Sequence, residues 1–141
     1  MMMTHIFTCI LFVLMFRSSN AAFTATLPSG NHFYPQNGII RYNRMLLTDS
    51  AYNSNSGVYT VTTNGTYSVS VTMMSGTVAA HLTMRKNSAI YVWLYTGNEY
   101  DMATQNVNMN LVIGDQIWMQ MNNQASRLFD VYNTFSAVRI P

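Results

Sequence analysis

The chain is poor in groups that do acid, base or nucleophilic chemistry. It holds three histidines, five carboxylate side chains and one cysteine in 141 residues. Glu99 is the one glutamate, so a glutamate pair for acid/base work cannot be assembled. The two histidines downstream of the N-terminal apolar run, His32 and His81, are too few for a histidine-rich metal site. No Gly-x-Ser-x-Gly, phosphate-cradling glycine loop or His-Glu-x-x-His occurs. Ser, His and Asp side chains could still meet in space, but no motif supports a triad. His81, flanked by Ala80 and Leu82 in a strand-like run, reads as a hydrogen-bonded structural histidine. These absences point to a binding protein and not an enzyme.

Binding chemistry is better supplied. Arg41 and Arg44 bracket Tyr42-Asn43, and Arg85-Lys86 stand at a strand end. If these loops converge, their cations suit the carboxylates or phosphates of anionic glycans, since a guanidinium fork meets such groups through two parallel hydrogen bonds. Read by itself, each pair is ordinary charged surface. Tyr91, Trp93, Tyr95 and Trp118 could form platforms for sugar rings, although packing in a core or an interface is the stronger reading. Asn64-Gly65-Thr66 is the one N-glycosylation sequon, and Asn64 falls at a turn signal, where access is good.

The elements that position these residues follow from the patterning. Residues 6–16 are an unbroken apolar run, with Arg17 and then Ser18, Ser19, Asn20, Ala21 and Ala22 behind it. That is a secretory leader with small residues at the cleavage site, placed between Ala21 and Ala22; the run is too short to span a bilayer, which takes about 20 apolar residues. The expected organisation is a signal peptide over residues 1–21 and one domain over residues 22–141. Removing 21 of 141 residues leaves 120, enough for a single core that buries roughly two thirds of the unfolded surface.

Cys9, the only cysteine, leaves with the leader, so the secreted domain is expected to hold without disulfides. Loss of Arg17 takes the net charge from +2 to +1, too little to attract nucleic acid or an anionic membrane. Charged residues are 9% of the chain against about 25% in an ordinary soluble domain. A surface this weakly charged resists self-association poorly and favours an oligomer.

Period-two alternation dominates, and no stretch has helical spacing. Tyr67, Val69 and Val71 share one face of a strand and Thr66, Ser68, Ser70 and Thr72 the other; Asn64-Gly65, between this run and residues 58–63, predicts a type I′ hairpin. Met109, Leu111 and Ile113, then Ile117, Met119 and Met121, predict a second antiparallel pair around Gly114-Asp115. Residues 89–95 do not alternate, which predicts a strand covered on both faces, at a sandwich core or a subunit interface. Further strands are expected over residues 23–27, 39–47, 77–84 and 134–140. Many short strands without helices imply a two-sheet sandwich or jelly roll.

Several of these segments, in this order, resemble the C1q globular-head family of the superfamily shared with tumour necrosis factor. Ala22-Phe23-Thr24-Ala25-Thr26-Leu27 is similar to its opening strand. Residues 52–59 followed by Gly65-Thr66-Tyr67 resemble its Tyr, Gly, aromatic, Gly-x-Tyr signature. Residues 82–87 resemble the strand that ends in a Lys-Asn turn, residues 111–118 the leucine, Gly-Asp, aliphatic pattern, and Phe135-Ser136-Ala137 the closing Phe-Ser-Gly, with Ala in place of Gly.

The resemblance implies an all-β, ten-stranded antiparallel jelly-roll sandwich that assembles as a homotrimer with loops facing its ligands. No Gly-X-Y collagen repeat is present, so the likeness is to stand-alone secreted members, and coupling to a complement protease is not expected. Some members bind calcium near the trimer axis through acidic loop residues; here Asp101 and Asn110, with Glu99 nearby, are the candidates, although a solvated loop accounts for them as well and the ion wants six to eight oxygens. No other cofactor is implied. The expected function is a multivalent, lectin-like recognition module of innate immunity that binds a carbohydrate or microbial surface. A secreted signalling ligand for a cell-surface receptor and an extracellular-matrix component are the alternatives, the latter disfavoured by the scarcity of carboxylates.

Overall fold

A computed structural model describes residues 21–141, which contain twelve β-strands and no helix. They are β1 (Ala22–Thr26), β2 (Asn31–Tyr34), β3 (Arg44–Leu47), β4 (Tyr52–Asn53), β5 (Val58–Thr60), β6 (Gly65–Met74), β7 (Ala80–Lys86), β8 (Ala89–Thr96), β9 (Met102–Leu111), β10 (Gln116–Met121), β11 (Ser126–Phe129) and β12 (Thr134–Ile140). Ten of them form two five-stranded antiparallel sheets, β3-β1-β12-β6-β9 and β4-β5-β10-β7-β8. This is the expected jelly-roll sandwich; β2 and β11 add a separate two-stranded ribbon. The leader read over residues 1–21 lies outside the described residues except for Ala21, whose carbonyl accepts the Arg139 N–H at 2.9 Å.

Alternation places the core. Tyr67, Val69, Val71 and Met73 of β6 and Phe23, Phe135 and Met109 of its sheet face inward and are buried. From the second sheet Ile117, Met119, Met121, Leu82 and Met84 meet them. The aromatic part is tightly organised: Phe23 stacks on Tyr52 with ring centres 4.4 Å apart and meets Phe135 edge-on at 5.1 Å, geometries that suit ring quadrupoles. Unbranched methionines fill the remaining irregular space. Burial drives the Tyr42 and Tyr52 phenols well above their ordinary pKa, so both stay neutral. Tyr52 donates its hydroxyl to the Tyr42 carbonyl at 2.6 Å.

Two expected hairpins are replaced by sheet-to-sheet crossovers. β5 pairs with β4 and β10, whereas β6 pairs with β12 and β9, so Asn64-Gly65 joins strands of different sheets. Gly65 lies in β6, and its missing Cβ makes room for the Arg139 side chain, whose Nε donates to the Asn64 carbonyl at 3.0 Å. Gly114-Asp115 likewise links β9 of one sheet to β10 of the other. The two crossovers brace each other: Val61 N–H donates to the Asp115 carbonyl at 2.8 Å and Gly114 N–H to the Val61 carbonyl at 2.9 Å. Ile113, expected to face inward, sits at this crossover and is 66% exposed.

The type I′ geometry occurs instead between β7 and β8, where Asn87 and Ser88 have φ of 50° and 79°. It is the Lys-Asn turn that the resemblance implied. Asn87 is held there from three directions, by Asp115 Oδ1, the Gln116 N–H and the Gln116 carbonyl.

Candidate functional site

β8 is an edge strand, and only one of its faces is covered. Leu94 and Thr96 point into the sandwich, while Tyr91, Trp93 and Tyr95 point outward, the last two 52% and 64% exposed. The expectation that residues 89–95 are covered on both faces is therefore not met within one chain. Register explains how the outer face is composed. Across the strands Tyr95 pairs with His81, Trp93 with Thr83, and Arg85 with Trp118, so three aromatics and a guanidinium share one surface.

Their neighbours hold them in place. The His81 ring meets Tyr95 edge-on at 5.5 Å, and its Nδ1 lies 3.1 Å from the Asn122 amide nitrogen, the hydrogen-bonded role expected for this histidine. Arg85 Nε donates to Thr83 Oγ1 and its Nη1 to the Ser88 carbonyl, each at 2.9 Å, while Trp118 Nε1 donates to Gln120 Oε1 at 2.9 Å. Exposed aromatic rings with anchored polar partners are suited to stack on the apolar faces of sugar rings or of other side chains.

The outward face of the other sheet has the opposite character. β6 and β9 contain no charged residue. Their outward side chains interlock through hydroxyls and amides: Thr66 Oγ1 donates to Asn110 Oδ1 at 2.9 Å, Ser68 Oγ to Asn106 Oδ1 at 3.2 Å, and the Thr72 and Thr104 hydroxyls lie 3.2 Å apart. A face without charge can be buried against another copy without stranding an ion.

The remaining predicted site residues are dispersed. Arg41 lines a polar cavity with residues of β2 and of the turn between β4 and β5. Arg44 begins β3 and reaches Thr26 Oγ1 at 3.5 Å. Lys86 Nζ donates to the Asn110 carbonyl at 3.3 Å, so the two basic pairs serve different strands and share no contact among the described residues. Asp101 and Asn110 stand at the two ends of β9, roughly 30 Å apart at the rise of a strand. They cannot ligate one ion within a subunit. Among the described residues no group of three His, Cys, Asp or Glu side chains converges. Asn64 is exposed, its Oδ1 taken by the Ile113 N–H at 2.8 Å.

Sequence patterning missed the cavity wall that β2 supplies, because four residues with two half-buried side chains give too short a periodic signal. It also missed Asn133, which is fully buried.

Comparison with known families places this surface in context. The C1q domain model matches residues 22–137. The chain belongs to the C1q-domain family. This C1q domain is similar in structure to the globular domain of zebrafish complement 1qA protein, with a TM-score of 0.72 at 18% identity, covering 86% of this chain and 98% of that one. It is also similar to Eiger TNF from S. frugiperda, with a TM-score of 0.70 at 11% identity over 86% of this chain and 93% of that one. Murine APRIL gives 0.67 at 10% identity, over 86% of this chain and all of that one. At these identities the likenesses show a shared C1q/TNF-type jelly roll. No curated protein sequence matches the chain. Among the described residues of this C1q domain no helix is long and apolar enough to cross a membrane.

Proposed function

We propose that this C1q domain is a secreted, non-enzymatic recognition module of the lectin-like, innate-immune kind, freed by cleavage between Ala21 and Ala22 and assembled as a homotrimer. The observation that carries this reading is the exposed row Trp93 and Tyr95, which shares the outer face of the second sheet with Trp118 and Arg85. A monomeric protein leaves such a patch open chiefly where it binds something. The uncharged face of β6 and β9 supports the assembly: three copies meeting through it bury amides and hydroxyls that can pair with each other, and the aromatic face on the opposite sheet stays turned outward. Three weak sites held on one particle then grip a repetitive surface. Asn64, exposed and with its amide nitrogen in no hydrogen bond among the described residues, carries an N-linked glycan in the secreted protein.

The test uses mature protein on glycan and bacterial-surface arrays, with light scattering to give its mass. Wild type is expected at three times the chain mass and bound to a subset of the array. Asn106→Arg, which puts a charge on the uncharged face, should be monomeric and lose array binding by about tenfold or more; Trp93→Ala should stay trimeric and also lose it. Undiminished array binding by Trp93→Ala would refute the aromatic face as the recognition surface.

A further inference from the structure

We infer that the cavity containing Arg41 is a second binding site, for the carboxylate-bearing ring of an acidic sugar; this rests on the glycan-recognition reading and adds a ligand class and a place. The cavity, about 480 Å³, lies beyond β2 and beside the β4–β5 turn, and β4 is the edge of its sheet opposite to β8. That volume is in the range that houses small ligands.

Its lining is one-sided in charge. Arg41, Asn43, Ser54, Asn55 and Tyr34 supply a cation, amides and hydroxyls, and no lining residue is Asp or Glu. Burial raises the Tyr34 phenol above its ordinary pKa against the pull of Arg41, so it is a neutral hydroxyl. Phe33, 57% exposed, is also among the lining residues, and the Arg127 guanidinium of the paired strand lies 5.5 Å from its ring centre. A guanidinium fork matches a planar carboxylate, amides match neighbouring ring hydroxyls, and an aromatic ring matches the C–H face of a sugar. An isolated inorganic anion would leave Phe33 and the amides unused.

The wall is also built in advance. Asn53 Oδ1 accepts the N–H of Asn55 at 2.9 Å and of Ser56 at 3.3 Å, and the Asn53 carbonyl accepts the Gly57 N–H at 2.8 Å. Gly57, at φ of 80°, presses against the Ile40 carbonyl where a Cβ could not fit. The turn bearing Ser54 and Asn55 is thereby fixed to the segment bearing Arg41, and little ordering remains to be done on binding.

Backbone NMR of the mature protein titrated with sodium glucuronate, with glucose as the neutral twin and sodium sulfate as the bare anion, tests the site. Glucuronate is expected to shift amides at residues 33–34, 41–43 and 54–55. Glucose should bind at least about tenfold more weakly, and Arg41→Gln, an exposed change that keeps the melting temperature, should weaken glucuronate by about tenfold or more. Phe33→Ala should weaken it by about threefold or more. Equal binding of glucose, an unaffected Arg41→Gln variant, or displacement of glucuronate by equimolar sulfate would overturn the inference. Array binding that persists while glucuronate leaves these amides unmoved would remove this site and spare the proposed function. Amide shifts without any array binding would do the reverse.

Discussion

The Asn133 side chain pairs with Met74 as a neighbouring strand would: its Oδ1 accepts the Met74 N–H at 3.0 Å and its amide nitrogen faces the Met74 carbonyl at 3.3 Å. The same nitrogen reaches the Phe129 carbonyl at 2.8 Å and that of Asp130 at 3.2 Å. One buried amide thus satisfies the backbone where β11 turns into β12 and along the side of β6 that β12, ending its pairing at Thr72, does not reach.

Asn133→Ala should therefore be costly, because the orphaned N–H and carbonyls have no solvent to turn to. We expect a loss of about 3 kcal/mol. Asn133→Asp should do no better, since a carboxylate can keep the Met74 N–H but repels three carbonyls. Urea unfolding followed by tyrosine fluorescence measures both; a loss below about 1 kcal/mol for Asn133→Ala would show that the backbone finds other partners.

Gly57 and Gly30 both have positive φ, but only Gly57 abuts another backbone segment. Gly57→Ala should cost roughly 3 kcal/mol, from conformational strain plus displacement of the Ile40 carbonyl, whereas Gly30→Ala, in open space, should cost about 1 kcal/mol from strain alone. Equal thermal shifts for the two variants would mean that the contact with Ile40 contributes nothing.

The two residues of the β7–β8 turn should respond in opposite directions to glycine. Ser88 adopts φ of 79° without a side-chain bond of its own, so Ser88→Gly relieves strain and should stabilise by about 0.5 kcal/mol. Asn87 binds Asp115 and Gln116 through its side chain, so Asn87→Gly should destabilise by about 1 kcal/mol despite the same relief. Denaturant midpoints with unchanged slopes check the pair.

Asp115 couples this turn to acid stability. Its carboxylate accepts the Val112 N–H and the Asn87 amide, each at 2.9 Å, and these bonds hold its pKa below the ordinary 3.8. A depressed folded value means that the unfolded chain takes up the proton first as pH falls. Its stabilisation is therefore full above the ordinary value, and is lost as pH drops through the folded one. Asp115→Asn should flatten the acid limb of the stability curve below pH 3.8 and leave the pH dependence above it unchanged. An identical acid limb in the variant would show that other carboxylates dominate.

Alternation along single strands was legible from residue order alone. Tyr67, Val69 and Val71, or Ile117, Met119 and Met121, need only the pleat of their own strand to reach one face, so the core and the all-β class follow from local pattern. β12, expected over residues 134–140, falls where alternation put it. Short segments such as residues 22–27 and 111–118 likewise carry the resemblance to the C1q-domain family. Arg41 and Arg44 are legible as cations, but cations alone do not define a cavity.

Partnership between strands was decided only by the tertiary structure. Asn64-Gly65 has the composition of a hairpin turn, yet β5 and β6 find stronger neighbours elsewhere, and Gly65 instead clears space for Arg139 from a strand far along the chain. Trp93 and Trp118 share a face because β7 lies between their strands. The Arg41 cavity draws on β2, the residues before β3 and the β4–β5 turn, and Asn133 answers a carbonyl at residue 74. Hydrophobic pattern is a property of neighbours a few residues apart, whereas a pocket or a buried amide depends on which distant segments the packed sheets bring together.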